Sequence, residues 1–211
     1  MAQDTQKELT LLAQRICALA GNGLTYSLSE YDTERYEELN TIGHKIAALA
    51  TGVENLEDIS NLYLNQKEYA TPKVDIRAVV FNDKDEILLV KEKHDGCWSL
   101  PGGWADIGFS PGEVAIKEVK EETGLDVAVV RLLAMMDMSK HPHPIIPFYV
   151  YKTFILCRIT GGAFNETFDI LDKDFFPIDQ LPSLSRERVL PQQIKQMYDL
   201  YRYPDKGVYL D

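Results

Sequence analysis

The segment PGGWADIGFSPGEVAIKEVKEETGLDV, residues 101–127, contains the clearest structural signals of the sequence. Ser110, a proline directly after it and Glu113 three residues after it form a typical helix start, because serine caps the first turn and proline fits its first position. Gly124 supplies the left-handed residue at which helices commonly end. The sequence therefore predicts a helix over 111–123.

Three acidic residues lie on one side of this predicted helix: Glu118, Glu121 and Glu122. At about 100° per residue, they fall within an arc of roughly 100°. Carboxylates this close repel each other, so a cation should compensate them. Mg²⁺ prefers oxygen ligands, and a backbone carbonyl of the glycine-rich loop predicted over 102–108 can reach the same ion. Because that loop precedes the helix, we favour metal binding over the alternative of a solvated acidic face.

The same stretch resembles the Nudix box, the pattern G-x5-E-x7-R-E-U-x-E-E-x-G-U, where U is a bulky aliphatic residue. We align Gly103 with the first glycine of the pattern and Gly124 with the last. Beyond the first glycine, six positions match the pattern: Glu118, Val119, Glu121, Glu122, Gly124 and Leu125. Six fixed residue types at fixed spacing make this resemblance specific.

Two positions depart from the pattern. Phe109 stands where the family has glutamate, and Lys117 stands where it has arginine. In the family these two side chains support the loop and the helix against each other, so we expect a substitute support here. Glu113 with Lys117 is the candidate, since a glutamate four residues before a lysine forms a favourable helical pair.

The resemblance implies an α/β fold: a Nudix α/β/α sandwich with a mixed sheet over 71–211, preceded by a helical hairpin within 1–70. It implies that Glu118, Glu121 and Glu122 are catalytic and that, with Gly103, they hold Mg²⁺, for which Mn²⁺ can substitute. We assign Glu118 and Glu122 as the main ligands and Glu121 as a third ligand or the base.

Residues 1–70 have a helical hydrophobic pattern. Apolar residues recur at helical spacing at Leu12, Ile16 and Leu19, until the glycines at 21 and 23, and again from Tyr36 to Leu49. Two amphipathic helices joined by a short linker predict an antiparallel hairpin, which serves packing, dimerisation or substrate contact. With a helical segment before the box, the chain resembles a subgroup of the family that hydrolyses X-linked nucleoside diphosphates. This subgroup includes CDP-choline and ADP-ribose pyrophosphatases.

The remaining pattern predicts alternating strands and a few helices. We expect strands over 74–80, 87–91, 98–100, 127–136, 147–157 and near 175, and helices over 55–62 and 192–201.

Several further side chains are candidates for substrate contact. Arg77 and Lys91 can meet phosphate oxygens, and Trp104 can stack on a base, although strand cations often face solvent and tryptophans often pack. We expect the histidines at 141 and 143 in an exposed loop at the pocket rim. Asp169, Asp172 and Asp174 form a second acidic run, one member of which can supply a late metal ligand.

The bulk composition restricts the partners. The chain has 211 residues and a formal net charge of −11, which repels nucleic acid, so the expected partner is a small nucleotide with a metal ion. No apolar run reaches the roughly 20 residues of a membrane span, and we expect a cytoplasmic homodimer. The alternatives are a Nudix-like domain that senses a nucleotide without hydrolysing it, and an enzyme that removes 5′ pyrophosphate from RNA.

Overall fold

The structure is a computed structural model that describes residues 2–52, 69–146, 149–167 and 170–211. The chain forms two compact units, one comprising residues 1–72 with 145–149 and the other comprising 73–144 with 150–211. No helix in the described part of the chain is long and apolar enough to cross a membrane. The helix predicted over 55–62 lies outside the described residues.

The first unit contains helices α1 (Ala2–Tyr26) and α2 (Glu30–Thr51). The break predicted at glycines 21 and 23 is wrong, because α1 continues through both. At Gly23 an added Cβ would lie 2.3 Å from the ring of Tyr36, so this glycine serves the close approach of the two helices. The small residues Ala13, Cys17 and Ala47 form the buried contact between them.

The large apolar residues of the predicted stripes are mostly at the surface of the first unit. Leu12 and Leu19 on α1 are each 49% exposed, and Leu49 on α2 is 80% exposed. A row of exposed leucines on a helical hairpin is unusual for a surface in contact with water alone. The hairpin itself is therefore held together by small residues, and its large apolar residues remain available for contact with another surface.

The second unit is built on two sheets. Its strands are β1 (Lys73–Val80), β2 (Ile87–Glu92), β3 (Trp98–Ser99), β4 (Gly102–Trp104), β5 (Leu125–Asp137), β6 (Val150–Gly162), β7 (Ile170–Phe176) and β8 (Tyr209–Leu210). One sheet has the order β4-β1-β6-β5-β8 and the other the order β3-β2-β7. Because β1 is parallel to β6 and antiparallel to β4, the sheet is mixed, as predicted.

Two helices of this unit cover opposite hydrophobic cores. Helix α3 (Pro111–Thr123) packs Val114, Ala115 and Val119 into one core, and α4 (Pro191–Arg202) packs Ile194 and Met197 into the other. The predicted α/β/α sandwich is confirmed. Helix α4 lies within one residue of its predicted bounds at each end.

The ends of α3 follow the sequence signals. The Ser110 hydroxyl accepts from the backbone N–H of Glu113, and the Glu113 carboxylate accepts from the backbone N–H of Ser110, which forms a capping box. Gly124 adopts φ 84° at the other end. The predicted helix over 111–123 is confirmed. Because the capping box fixes where the helix begins, it also fixes which of its residues share a face.

The glycine-rich segment before α3 differs from the prediction. Residues 102–104 are not loop but strand β4, which pairs with β1 so that Gly102 lies opposite Arg77. Gly102 has φ 147°, and a Cβ there would lie 2.0 Å from the carbonyl oxygen of Ile76. Only glycine allows the two backbones to come this close.

We predict that Gly102→Ala destabilises the second unit by about 3 kcal/mol or more, because the added methyl group meets backbone that cannot move cheaply. Gly161→Ala is the matched control, since its nearest atom, a carboxylate oxygen of Asp126, is 3.7 Å away. Urea unfolding measures both variants. Equal midpoints for the two would contradict the close approach of β4 to β1.

Candidate active site

Helix α3 directs two of its three predicted carboxylates toward strand β4. The backbone N–H of Gly102 donates to Glu122 Oε2 over 3.0 Å. A Cβ on Gly103 would lie 3.1 Å from Glu118 Oε1, so this glycine leaves the room that the carboxylate occupies. Glu118 and Glu122 therefore flank the glycine pair of β4.

Glu121, the third predicted carboxylate, lies at the surface of α3. It is exposed, and its Oε2 lies 3.7 Å from Lys117 Nζ. Within the described residues, no three histidine, cysteine, aspartate or glutamate side chains are arranged to enclose a metal ion. Mg²⁺ needs no such cage, because it is usually bound by one or two carboxylates, water and substrate phosphates.

The environment of Glu122 disfavours its charge. Burial raises the pKa of this carboxyl against the opposing charge of Arg77, and with the charges of Glu118 and Glu92 it brings the pKa to about 8. Burial also raises the pKa of Glu118. A cation placed between the two carboxylates would reverse both shifts, since an opposite charge favours the ionised form.

Arg77 is not available to a substrate phosphate. Its side chain is 4% exposed and binds Asp75 through Nε and Nη2, with Nη2 2.8 Å from Oδ1. Its Nη1 donates to the carbonyl oxygen of Leu100 over 3.1 Å. Arg77 is therefore a buried support beneath the β3–β4 segment, where its charge also acts on Glu122.

Asp75 holds a second buried cation, Lys152 of β6. Lys152 Nζ lies 2.5 Å from Asp75 Oδ2, and both side chains are less than 5% exposed. Burial alone would raise the pKa of Asp75, but the charges of Arg77 and Lys152 outweigh it and lower the pKa to about 2. The carboxylate is thus ionised and shared between two cations.

A second buried carboxylate, Glu92 at the end of β2, also lies close to Arg77. Its Oε1 accepts from the Ser99 hydroxyl over 2.7 Å and lies 3.2 Å from Arg188 Nε. Asp75, Glu92, Lys152 and Arg188 were not among the residues predicted for the site. The available signal was the charged residues inside strands that otherwise read as buried, as in VDIRAVV and YKTFILC.

The other predicted contact residues lie around this region in different environments. Trp104 is 46% exposed at the end of β4, with Lys73 Nζ 5.5 Å from its ring centre. Lys91 is half-buried on β2, between Trp98 of β3 and Asp172 of β7. Trp98 packs edge-on against Phe176 in the core, which agrees with the packing alternative.

The residues of the predicted rim loop differ in exposure. His143 is 8% exposed, so the expectation of an exposed loop is wrong there, because its Nδ1 bonds the carbonyl oxygen of Arg186 over 2.7 Å. His141 instead contacts Asp211. Asp172 and Asp174 are exposed on β7, and Asp169 lies outside the described residues.

The comparison with known families agrees with this geometry. A family model described as NUDIX domain matches residues 71–200. The chain belongs to the Nudix family. A second model, described as a UDP-X-like, N-terminal oligomerisation domain, matches residues 7–63. The chain is thus a Nudix hydrolase with the helical N-terminal domain that the sequence resemblance implied.

Individual relatives extend over both parts of the chain. A Bacillus subtilis (strain 168) protein named "Putative ADP-ribose pyrophosphatase YjhB" is 45% identical over 199 residues, which are 94% of this chain and 95% of that one. A crystal structure of a UDP-X diphosphatase is 34% identical with a TM-score of 0.63, covering 98% of this chain and 99% of that one. A crystal structure of an ADP-ribose pyrophosphatase from Streptococcus suis is 41% identical with a TM-score of 0.61. It covers 67% of this chain and 100% of that one.

The two departures from the Nudix box are joined in an unexpected way. Lys117 Nζ lies 3.2 Å from Asp106 Oδ2 in the segment before α3 and 5.7 Å from the ring centre of Phe109. The predicted Glu113–Lys117 support is wrong, because Glu113 is engaged in the capping box. Through Asp106 and Phe109, Lys117 connects helix α3 to the segment before it.

We predict that Arg77→Met lowers the free energy of unfolding by about 3–5 kcal/mol, since it removes one of the two cations that hold buried Asp75 and the cation that acts on partly buried Glu122. Lys91→Met, the control at the other predicted phosphate contact, should change it by less than about 0.5 kcal/mol. Chemical denaturation measures both. A stable Arg77→Met enzyme with a raised KM would instead assign Arg77 to substrate binding.

We predict that Lys117→Met and Asp106→Asn each lower kcat/KM by about two- to fivefold, and that the double variant loses no more than Lys117→Met alone, because exposed pairs contribute little and Asp106 acts through Lys117. Lys120→Met is the control, since Lys120 lies on the same helix and forms a similar surface pair with Asp126 of β5. Additive losses in the double variant would show that the two residues act independently.

Proposed function

We propose that this Nudix hydrolase cleaves the pyrophosphate bond of a nucleoside diphosphate linked to another moiety. The products are a nucleoside monophosphate and a phosphorylated second product. ADP-ribose and UDP-linked compounds are the first candidates, because relatives over most of the chain carry those names. CDP-choline belongs to the same chemical class and stays among the candidates. The observation that carries the proposal is the pair of carboxylates, Glu118 and Glu122, beside the Gly102–Gly103 backbone.

Magnesium is the proposed metal, with Mn²⁺ as a substitute. Glu118 and Glu122 would be its main protein ligands, and Glu121 and the backbone carbonyl of Gly103 the additional ones. The donor set fits, because it consists of carboxylate and carbonyl oxygens, and because the raised pKa values of Glu118 and Glu122 indicate carboxylates that lack a sufficient cation. When bound, the ion neutralises charge on the diphosphate during attack by water.

The other residues of the chain have distinct proposed tasks. Glu121 is exposed beside the partly buried Glu118 and Glu122, which suits either a third ligand or the base that takes a proton from the attacking water. Trp104 offers an exposed ring on which a base can stack, and Lys91 a cation for a phosphate oxygen. Arg77 and Asp75 keep the β3–β4 segment in place, and so hold Gly102 against Glu122.

We propose that residues 1–70 form a dimerisation module, with substrate specificity as a second task, and that residues 71–211 form the hydrolase domain. The exposed leucines of α1 and α2 support a homodimer, since such a surface gains most by contact with a second copy. The matching N-terminal model, described as an oligomerisation domain, supports the same assembly.

A nucleotide sensor that does not hydrolyse its ligand is the second candidate. Phe109 and Lys117 in place of the family's glutamate and arginine favour it, because they change the support of the segment before α3. An RNA 5′-pyrophosphate enzyme is less well supported, because a net charge of −11 repels a long polyanion.

The test is a screen of ADP-ribose, UDP-sugars, CDP-choline and 5′-triphosphorylated RNA with Mg²⁺ or Mn²⁺, with the products identified by mass. We expect a nucleoside monophosphate from at least one of the small substrates. In the same assay Glu122→Gln should lower kcat at least 100-fold while the thermal unfolding temperature falls by no more than a few degrees. Asp205→Asn, an exposed carboxylate in the Pro204–Lys206 turn, is the control and should keep wild-type rates.

Three results separate the candidates. Tight binding of a small nucleotide without any product would favour the sensor. Turnover of RNA alone would favour the RNA enzyme. Wild-type rates in Glu122→Gln would refute the assignment of this carboxylate to the metal.

A further inference from the structure

Arg188 projects from a turn that is fixed to the centre of the second unit. Its backbone N–H donates to the carbonyl oxygen of Ser185 over 2.9 Å. Ser185 N–H in turn donates to the carbonyl oxygen of Trp98 over 2.8 Å, and Trp98 N–H to that of Ser183 over 2.9 Å. The turn is therefore hydrogen-bonded to β3, the strand directly before the Gly102–Gly103 segment, and Arg188 starts from a defined position.

The guanidinium of Arg188 forms an ion pair with one buried carboxylate, which it approaches most closely through Nε. Nε lies 3.2 Å from Glu92 Oε1, and the Glu92 side chain is 7% exposed whereas that of Arg188 is 34% exposed. Glu92 is held from its other side by the Ser99 hydroxyl. Among the described residues, nothing is found in hydrogen-bond contact with the two terminal nitrogens of Arg188. Their four N–H groups remain available as a planar pair of donors.

A purely structural role for Arg188 explains this arrangement incompletely. An arginine that serves only to neutralise a buried carboxylate can present two nitrogens to it, as Arg77 does to Asp75. Arg188 approaches Glu92 most closely through Nε, and no hydrogen bond joins its terminal nitrogens to a described residue. The fork of terminal N–H groups matches two oxygens of a phosphate or carboxylate, for which arginine is better suited than lysine.

The position of Arg188 connects it to the carboxylates of α3. Glu92 lies close enough to Arg77 and Glu122 for its charge to act on both. Arg188 is also close enough to Lys152 for their like charges to interact. Asp95 is the acidic neighbour on the exposed side, and it is already engaged by the backbone N–H of Cys97. Arg188 therefore belongs to the same charged region as the proposed metal ligands.

We propose that Arg188 binds a phosphate of the substrate through its terminal nitrogens and that Glu92 is the residue that positions it. This inference rests on the proposed function. The group bound by Arg188 is either the part of the diphosphate that the metal leaves uncovered or an anionic group on the linked moiety. In a protein of net charge −11, a fixed cation near the acidic site gives the anionic substrate its second point of attachment.

The test compares Arg188→Met, Arg188→Lys and Arg186→Met in steady-state hydrolysis of the substrate found in the screen. Arg188→Met should raise KM about tenfold or more with kcat changed less than threefold, and Arg188→Lys should recover part of the loss because it keeps the charge without the fork. Arg186→Met, two residues away on the same turn and exposed, should leave KM within twofold. Glu92→Gln should raise KM less than Arg188→Met does.

A second readout separates binding from structural support. Inhibition by the nucleoside monophosphate product and by the phosphorylated second product is measured for wild type and Arg188→Met. If Arg188 binds a phosphate of the nucleotide, only the nucleotide inhibits the variant more weakly; if it binds the linked moiety, only the second product does. Either outcome supports the proposal, and unchanged inhibition by both overturns it.

The inference and the proposed function fail in different ways. If wild type turns over none of the screened compounds, the proposed function is overturned together with the inference that rests on it. If wild type is active and Arg188→Met loses thermal stability while KM and both inhibition constants stay unchanged, only the inference is overturned, because Arg188 then serves Glu92 alone. Should Arg188→Met fail to fold, Arg188→Lys is the deciding variant. An unchanged KM in Arg188→Lys would overturn phosphate binding through the paired terminal N–H groups.

Discussion

The close approach of the β4 backbone to its neighbours is the constraint on which the site depends. Gly102 brings this backbone against β1, where a side chain would meet the Ile76 carbonyl, and Gly103 leaves room for Glu118. The same backbone donates from Gly102 to Glu122. Without two glycines here, the carboxylates of α3 would have to turn toward solvent, and the sheet would lose an edge strand.

Burial gives these carboxylates their chemical character. In water, two glutamates one helical turn apart are ordinary anions, but here burial raises the pKa of both. Such groups either take up a proton or bind a cation, and a magnesium diphosphate offers the cation together with the substrate. The demand for charge neutralisation and the reaction proposed for the site therefore have one physical origin.

Beneath the glycine pair, an alternating set of buried charges replaces the apolar packing found elsewhere in the core. Asp75 is shared by Arg77 and Lys152, and Glu92 is shared by Ser99 and Arg188. Buried ion pairs add little net stability, but removal of one member leaves a charge without a partner. The Asp75–Arg77 pair fixes the segment carrying Gly102, because Arg77 also donates to the carbonyl oxygen of Leu100.

Local signals in the sequence predicted α3 within its bounds, because a capping box and a terminal glycine act over a few residues. They predicted the acidic face for the same reason. Strand β4 was missed, because three residues rich in glycine become a strand only through their pairing with β1. The Lys117–Asp106 contact was missed because the partner lies in a segment whose path a helical spacing rule does not describe.

The same limit explains the errors elsewhere. The glycines of α1 read as a break, yet packing against Tyr36 keeps the helix intact at Gly23. Arg77 read as a phosphate ligand, yet its partner Asp75 stands two residues away on the same strand face, and the second cation on that carboxylate is 77 residues farther along the chain. Charged residues within an apolar strand indicate that a buried ion pair exists, but they do not identify all of its members.

The most direct measurement is the anomalous scattering of Mn²⁺ in crystals grown with a non-hydrolysable methylene analogue of the diphosphate substrate. We predict a manganese peak within about 2.5 Å of carboxylate oxygens of Glu118 and Glu122, in contact with the analogue's phosphate oxygens. A metal and analogue bound elsewhere, with both carboxylates directed into empty solvent, would contradict the assignment of these two residues to the metal.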